Sequence, residues 1–218
     1  MNSRTQVPLY VDLDGTLIFS DCLYESFLSI LRQNPFALFL VMAWLLKGGR
    51  AFMKARIAER ADIDASSLPY NEPLLEWLRL EKAQGREIIL ATASHEKYAG
   101  AIALHLQLFD RVLATSESLN LKGGNKARQL LEECGEGGYD YVGDSKADLK
   151  VWEHAHAAVV VSDSDVFRNK VADTVPVDRS FACPQRHFTW AALRPHQWLK
   201  NVLLFVPLLT SHHLFDLD

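Results

Sequence analysis

The feature that most constrains the fold is the alternation of short apolar runs with longer amphipathic segments. The short runs predict buried strands at Val7–Val11, Ile88–Ala91, Tyr139–Gly143 and Ala157–Val161. The longer segments predict helices at Glu72–Ala83, Glu96–Leu108 and Asn125–Cys134. Strands that alternate with helices at this spacing are typical of a parallel α/β sheet. Ligands bind such sheets at the carboxyl ends of the strands.

Two regions interrupt this alternation. Residues 20–70 separate the first strand from the first helix of the predicted sheet, and their pattern is largely helical. After Pro176 the alternation of strands and helices is predicted to stop. The chain is therefore divided into a core of residues 1–19 and 71–180, an inserted helical cap of residues 20–70, and a tail of residues 181–218.

The inserted region contains an unbroken apolar run of eleven residues, Phe36–Leu46. A run of this length is too short to span a bilayer, which takes about 20 residues. Basic residues flank the run at Arg32, Lys47, Arg50, Lys54, Arg56 and Arg60. Two interpretations stay open. The run is either a buried helix of the cap, or an interfacial helix whose basic flank meets anionic lipid or a phosphorylated substrate.

Two carboxylates stand directly after the first predicted strand, in the sequence Asp12-Leu13-Asp14-Gly15-Thr16. Asp and Gly are turn-forming residues, so a tight turn can bring both acids into one small site. Asp12 is placed to act as a nucleophile, because attack of a carboxylate on phosphorus divides one difficult hydrolysis into two easier displacements. Asp14 is placed to protonate the leaving alkoxide and then to activate water. The alternative is an ordinary surface turn.

A second acidic pair, Asp144 and Asp148, follows the strand that ends at Val142. Four acids gathered at strand ends would repel one another without a cation, and hard oxygen ligands are what magnesium prefers. Asp144 is therefore predicted to bind Mg²⁺, with Asp148 supporting it through water or orienting a ligand. The alternative is a solvated loop with Asp148 near the N-cap of a helix at Leu149–His154.

A hydroxyl and a basic side chain complete the predicted site. Thr92 follows a predicted strand, where its hydroxyl and helix N-terminal amides can hold a phosphoryl oxygen. The alternative for Thr92 is a plain N-cap, which is the role predicted for Ser94. Lys126 lies at the start of a predicted helix and can offset the negative charge of the transition state. Lys122 is the alternative residue for that role.

In chain order, these motifs resemble the four motifs of the haloacid dehalogenase-like hydrolases. The matching elements are D-x-D-G-T, a Thr at a strand end, a Lys at a helix start, and G-D-x-x-x-D. The resemblance extends over roughly residues 7–175 and is greatest to the phosphoserine-phosphatase-like branch. It implies an α/β fold with a Rossmann-like parallel sheet flanked by helices, and a small helical cap inserted after the first strand.

The resemblance also implies a role for each matching residue. Asp12 is implied as nucleophile and magnesium ligand, and Asp14 as an acid/base that also binds magnesium through its carbonyl. Thr92 and Lys126 are implied to bind phosphate, and Asp144 to bind magnesium. Dehalogenases lack the second acid of the first motif. The presence of Asp14 therefore favours phosphatase chemistry.

The tail resembles a different family. The sequence LRPHQWLKN at Leu193–Asn201 and the sequence FVPL at 205–208 are similar to the opening of UbiA-type prenyltransferases, above all the decaprenyl-phosphate phosphoribosyltransferase branch. The aspartate-rich motifs of that family are absent. The resemblance implies a linker and the start of a membrane domain in residues 181–218; the alternative is an amphipathic C-terminal helix. Basic residues precede the apolar segment, which agrees with a core on the cytoplasmic side of the inner or plasma membrane; they are Arg186, Arg194 and Lys200.

Together these observations predict a magnesium-dependent phosphomonoester hydrolase that acts on a small sugar-linked or lipid-linked phosphate. The turn Thr92-Ala93-Ser94 departs from the Ser-Gly-Gly-like turn of phosphoserine phosphatases, so phosphoserine is not the expected substrate. The alternatives are a phosphotransferase or mutase of the same superfamily, and a non-catalytic module that docks or regulates a prenyltransferase. The net charge of −4 indicates no nucleic-acid partner. No export-signal pattern opens the chain, so cleavage of a leader is not expected.

Overall fold

The computed structural model describes residues 7–34, 36–61, 63–116 and 121–183. These residues contain a six-stranded sheet whose strand pairs are all parallel. The strands are β1 (Leu9–Val11), β2 (Ile88–His95), β3 (Arg111–Thr115), β4 (Asp140–Gly143), β5 (Ala157–Val161) and β6 (Val177–Phe181). Their order across the sheet is β3-β2-β1-β4-β5-β6. The predicted α/β fold with a Rossmann-like parallel sheet is confirmed.

Helices cover both faces of this sheet. The described helices are α1 (Cys22–Gln33), α2 (Ala37–Arg60), α3 (Glu72–Ala83), α4 (Glu96–Leu106), α5 (Gly124–Cys134), α6 (Leu149–Trp152) and α7 (Asp165–Ala172). Successive residues of a strand point to opposite faces of the sheet. Leu9 and Val11 accordingly share a buried cluster with residues of α3 and α4. Tyr10 shares another cluster with residues of α5, α6 and α7.

The structure contains three elements that the sequence pattern did not predict, namely β3, α7 and β6. The prediction that the alternation stops after Pro176 is wrong, because β6 begins at the next residue and pairs with β5. Both missed strands form the edges of the sheet. Most of their residues are exposed or half-buried, so they lack the continuous apolar run that predicts a buried strand.

The region between β1 and α3 holds α1, α2 and a short 3₁₀ turn at Ala65–Ser67. Helix α2 is broken at Gly49, where φ is 69°, a conformation that favours glycine. The guanidinium of Arg60 lies 4.7 Å from the ring centroid of Trp44, whereas sixteen residues of continuous helix would separate them by about 24 Å. The two halves of α2 therefore fold back on each other. A small apolar cluster is buried there and comprises Ile30, Ala37, Val41, Trp44, Ile57 and Ala61.

A lysine of the core holds the end of α2. Lys97, in the first turn of α4, donates hydrogen bonds to the carbonyls of Ala58 at 3.3 Å and Ala61 at 2.9 Å. The last carbonyls of a helix have no partner within the helix, and the helix dipole favours a cation beside them. Since α4 begins directly after β2, this contact keeps the end of α2 close to the carboxyl end of β2.

The central strand β1 is the point at which the chain changes direction across the sheet. It pairs with β2 on one side and with β4 on the other. The connection that follows β1 runs to β2 on one side, and the connection that follows β4 runs to β5 on the other. Such divergence between neighbouring strands opens a crevice at their carboxyl ends. Asp12 follows β1, Thr92 lies near the carboxyl end of β2, and Asp144 follows β4. The topology thus brings the predicted site residues to a common edge.

Two predictions concern membranes. Among the helices of the described ranges, none combines the length and the apolar composition needed to cross a bilayer. The predicted linker and prenyltransferase-like segment of the tail fall outside the described residues, apart from 181–183.

Candidate active site

Asp12 lies at the base of the crevice, directly after β1, and is buried. Its backbone N–H donates to the carbonyl of Val142 at 3.0 Å, which fixes the start of the loop against β4. The loop then turns sharply. The carbonyl of Leu13 accepts the N–H groups of Leu17 and Ile18 at 3.0 Å each, and Gly15 adopts a φ of 88° that a side chain would disfavour. The turn predicted from the Asp-Gly pair is therefore present.

Lys126 reaches Asp12 from the first turn of α5. Its Nζ lies 2.7 Å from Asp12 Oδ1, and both side chains are almost fully buried. Lys122, the alternative considered for this position, is exposed. The lysine beside the predicted nucleophile is thus Lys126.

Two further residues extend this contact into a connected group, which we call the inner network: Asp12, Lys126, Tyr141 and Asp148. Lys126 Nζ donates to the hydroxyl of Tyr141 at 2.8 Å. That hydroxyl donates in turn to Asp148 Oδ1 at 2.8 Å. Lys126 Nζ and Asp148 Oδ1 are 4.0 Å apart, so the phenol bridges a gap that the two charged groups do not close.

Sequence reasoning missed Tyr141, although a signal for it exists. Tyr141 occupies β4, and alternation along the strand places its side chain on the sheet face covered by α5. Lys126 belongs to the buried side of α5, together with Ala127 and Leu130. A tyrosine on the strand face that packs against a buried lysine is therefore a candidate hydrogen-bond partner for that lysine.

Gly143 makes room for the inner network. A Cβ added at this position would lie 2.8 Å from a ring carbon of Tyr141 and 2.9 Å from the carboxyl carbon of Asp148. Such distances are too short for carbon atoms in contact. The glycine of the G-D-x-x-x-D motif is therefore required by packing, because a side chain there would displace the Tyr141–Asp148 pair.

Burial dominates the electrostatics of the inner network. Desolvation raises the pKa of Asp12 to about 7; the Lys126 ammonium opposes this rise, and the Asp148 carboxylate adds to it. For Lys126, burial disfavours the charged form, but Asp12 and Asp148 outweigh it and the pKa lies above its ordinary value. Burial, Asp12 and Asp148 together raise the pKa of Tyr141 well above its usual range. Tyr141 thus remains protonated and can donate to Asp148.

Asp14 faces the cap rather than the inner network. Its Oδ1 accepts the backbone N–H of Cys22, the first residue of α1, at 2.7 Å. Its Oδ2 accepts the hydroxyl of Ser94 at 2.5 Å. Burial raises the pKa of Asp14, while the hydrogen bonds from Ser94 and Cys22 oppose that rise. A carboxyl with a raised pKa is suited to donating a proton.

The prediction for Ser94 is wrong in detail. His95, not Ser94, is the N-cap of α4, and its Nδ1 accepts the N–H of Lys97 at 3.2 Å. Ser94 does not cap α4, because β2 continues to His95. Its hydroxyl contacts Asp14 instead, which makes Ser94 a second site residue that sequence reasoning missed.

Thr92 is fully buried near the carboxyl end of β2. Its Oγ1 accepts the backbone N–H of Ser94 at 3.0 Å. This local hydrogen bond lies in the irregular last part of β2, where the pairing with β3 shifts register between Ala91 and His95. Thr92 is therefore near the predicted edge of the sheet, and in the structure it shapes the strand end that carries Ser94.

The acidic residues fit a magnesium ion. Carboxylate oxygens of Asp12, Asp144 and Asp148 lie within 4.8 Å of one another, and such hard oxygen donors are what Mg²⁺ prefers. Thr16 Oγ1 donates to Asp144 Oδ1 at 3.3 Å and so orients that carboxylate. The Asp14 carboxylate is not in this group; the role implied for Asp14 in metal binding uses its carbonyl.

Asp148 is already engaged by protein donors. Its Oδ1 accepts from Tyr141, and its Oδ2 accepts from the N–H of Ser145 at 3.0 Å and from the Ser145 hydroxyl at 2.7 Å. Asp148 is buried within this capping arrangement. The predicted alternative is therefore right that Asp148 lies at the N-cap of the helix that begins at Leu149, and wrong that Asp148 is solvated. Asp12 and Asp144 are therefore better placed as direct ligands, with Asp148 behind them.

The chain belongs to the haloacid dehalogenase-like hydrolases, because the model of that family matches residues 9–153. The matched segment includes β1 with Asp12 and ends after Asp148, so it contains every residue of the inner network.

Three comparisons locate the chain among known proteins. The uncharacterized protein y4nM of Sinorhizobium fredii (strain NBRC 101917 / NGR234) is 39% identical over 206 residues, which is 93% of this chain and 40% of the relative. The chain thus spans less than half of that relative's length. A Bordetella pertussis Tohama I protein of unknown function superposes with a TM-score of 0.57 at 16% identity, covering 80% of this chain and 99% of that one. A substrate-bound phosphoserine phosphatase superposes with a TM-score of 0.52 at 13% identity, covering 81% and 92%. At these identities the structural likenesses establish the fold.

Proposed function

We propose that this chain is a magnesium-dependent phosphomonoester hydrolase that works through a phosphorylated Asp12. The observation that carries the proposal is the 2.7 Å contact between Lys126 Nζ and Asp12 Oδ1, beside three carboxylates close enough to share a cation. A buried lysine held against a buried carboxylate at the edge of a parallel sheet suits a site that must bind a dianionic phosphoryl group.

In the first half of the proposed reaction, a carboxylate oxygen of Asp12 attacks phosphorus. The bond between phosphorus and the ester oxygen breaks, and Asp14 gives its proton to the departing alkoxide. Lys126 and Thr92 would hold phosphoryl oxygens during this displacement. Magnesium, when bound to Asp12, Asp144 and the Asp14 carbonyl, would supply positive charge against the carboxylates and the phosphoryl group.

In the second half, Asp14 takes a proton from water. The water oxygen attacks the phosphorus of the acyl phosphate, the bond to the Asp12 oxygen breaks, and inorganic phosphate leaves with both carboxyl groups restored to their starting state. The position of Asp14 supports this dual use. It lies two residues from Asp12 on a fixed turn, and its raised pKa has burial as its largest cause.

The proposed substrate is a sugar-linked or lipid-linked phosphate. The turn at Thr92–Ser94 differs from the phosphoserine phosphatase pattern, and the tail sequence resembles the start of a UbiA-type prenyltransferase. We propose on that resemblance that the phosphatase works on the cytoplasmic side of a membrane, as the front domain of a longer protein. The greater length of the Sinorhizobium relative supports this proposal.

The test is release of inorganic phosphate from p-nitrophenyl phosphate by the full chain. We expect release that requires Mg²⁺, stops with EDTA, and is absent in Asp12→Asn. A panel of sugar, amino-acid, nucleotide and lipid-linked phosphates then ranks the substrates. Transfer of the phosphoryl group to an added alcohol, without phosphate release, would identify a phosphotransferase or mutase. Inactivity of the folded wild type across the whole panel would leave the non-catalytic docking module as the function.

A further inference from the structure

The outer face of the first half of α2 is apolar and exposed. Phe39 is 72% exposed and Leu46 is 83% exposed. The other large apolar side chains exposed on this segment are Phe36, Leu38, Leu40 and Met42. We call these six residues the cap patch. Singly exposed apolar residues are common on proteins, but a contiguous group of this size on one short helix marks an interaction site.

The opposite face of the same segment is already used. Ala37, Val41 and Trp44 recur at helical spacing and pack against Ile57 and Ala61 from the second half of α2. The predicted buried helix of the cap is therefore present on one face only, because the described residues cover just one of the two apolar faces of Phe36–Leu46. A helix that is apolar all round normally has partners on every side.

The charge next to the cap patch restricts what can cover it. Between Phe36 and Ala61 the sequence carries five basic residues and one acidic residue, Glu59, although the chain as a whole has a net charge of −4. Lys47 is exposed directly after Leu46. Arg60 is also exposed, and its guanidinium lies over the ring of Trp44. An apolar face bordered by cations is complementary to a surface that is apolar inside and anionic outside.

We propose that the cap patch docks on an anionic lipid surface, with Phe39 and Leu46 entering the interfacial region and Lys47 at the headgroups. Apolar side chains gain free energy by leaving water, and each basic residue near an anionic membrane adds attraction. The segment Phe36–Leu46 would be about 16 Å long as a helix, which suits lying in the interface and is too short for spanning the hydrocarbon core.

Two other occupants fit the charge less well. A second copy of the chain would bring two cationic segments together, and like charges across an interface disfavour association. The apolar tail segment Val202–Leu209 is preceded by Arg186, Arg194 and Lys200, so it too would add positive charge beside the patch. An anionic bilayer attracts the basic residues beside the cap patch, whereas a second copy or the tail segment would repel them.

The experiment is co-sedimentation of the full chain with vesicles of phosphatidylcholine alone, or with added phosphatidylglycerol. We expect stronger binding to the anionic vesicles, and a decrease in that binding as ionic strength rises. In Phe39→Glu/Leu46→Glu we expect the affinity for anionic vesicles to fall at least about ten-fold, since two large apolar side chains no longer leave water. Hydrolysis of a soluble phosphate ester should remain, because neither residue belongs to the site.

The matched control is Leu104→Glu/Val166→Glu. Leu104 is 77% exposed on α4 and Val166 is 81% exposed on α7, so this variant makes the same chemical change away from the patch and should bind vesicles like the wild type. Salt-dependent binding by the wild type tests the charge component without any substitution. Asp12→Asn should bind vesicles normally, which separates this proposal from the proposed catalysis.

Three outcomes would overturn the proposal. Equal binding of Phe39→Glu/Leu46→Glu and the wild type would assign membrane contact to the tail. Equal binding to neutral and anionic vesicles would show that the basic residues do not contribute to membrane binding. A wild-type dimer that the patch variant converts to a monomer, measured by light scattering without lipid, would show that a second copy covers the patch.

Discussion

The inner network and the contacts of Asp14 lie in one crevice but are assembled from different parts of the molecule. Asp12, Lys126, Tyr141 and Asp148 all come from the sheet and its helices, and three contacts of 2.7–2.8 Å join them in series. Asp14, in contrast, is held between Ser94 at the end of β2 and the N–H of Cys22 at the start of the cap. The first group is part of the core, whereas the second depends on the cap.

Because of this difference, separate substitutions can distinguish charge stabilisation from proton transfer in the proposed chemistry. In that chemistry, the inner network would supply fixed charge around the phosphoryl group, and its burial would strengthen the effect of that charge. Asp14 would supply proton transfer, and its hydrogen bond from Cys22 couples its position to α1. Changes to the inner network should therefore affect every substrate, whereas changes around Asp14 should depend on the leaving group and on the cap.

The largest effect among these tests is expected for Lys126→Met. Loss of a buried cation next to the reacting phosphoryl group should lower kcat by roughly 100- to 1000-fold for all substrates. It also leaves the buried Asp12 carboxylate without the ammonium that contacts it, which should lower the free energy of unfolding by about 3–5 kcal/mol. Steady-state kinetics and urea denaturation measure the two effects. Lys122→Met is the matched control and should resemble the wild type; equal losses in both variants would contradict the assignment.

Asp14→Asn should separate the two steps. With an alkyl phosphate, whose alkoxide needs a proton, we expect turnover to fall about 100-fold. With p-nitrophenyl phosphate the leaving group needs little help, so formation of the phosphorylated enzyme should persist while its hydrolysis is slowed. Rapid-quench kinetics should then show a burst of p-nitrophenol followed by slow turnover. A uniform loss for both substrates, without a burst, would place Asp14 in binding instead of proton transfer.

Tyr141→Phe is expected to have the smallest effect. It removes the hydroxyl that accepts from Lys126 and donates to Asp148, and the unsatisfied buried partners should cost about 1–3 kcal/mol of stability. The fall in kcat should be smaller than in Lys126→Met, because the ammonium remains. Tyr139→Phe is the control: its buried hydroxyl donates to the Val151 carbonyl at 2.7 Å, outside the inner network. Comparable loss of stability, with loss of activity in Tyr141→Phe alone, would establish Tyr141 as a positioning residue.

The sequence was most informative where residues are buried and periodic. The strand at Ala157–Val161 and the helix at Glu72–Ala83 were predicted with the boundaries that the structure has. The approach of Asp12 and Asp144 followed from two strand ends at one edge of a parallel sheet. The edge strands β3 and β6 were not predicted, because their exposed residues interrupt the apolar pattern that indicates a buried strand.

Side-chain contacts across the fold could not be read from the sequence. Lys126 reaches Asp12 because it lies on the buried face of α5, whereas Lys122 precedes that helix and is exposed. The extension of β2 to His95 decides that Ser94 contacts Asp14 instead of capping α4. The Tyr141 bridge depends on the space left by Gly143. These features arise from tertiary geometry, which local pattern does not determine.

The central claim is that Asp12 carries the phosphoryl group, and mass spectrometry of the quenched enzyme tests it most directly. The full chain is mixed with p-nitrophenyl phosphate and Mg²⁺, stopped in acid within the burst, and digested for peptide mapping. We expect one added phosphoryl group on the peptide that contains Asp12, more of it in Asp14→Asn than in the wild type, and none in Asp12→Asn. Phosphate release without any label on that peptide, or a label that persists in Asp12→Asn, would contradict the claim.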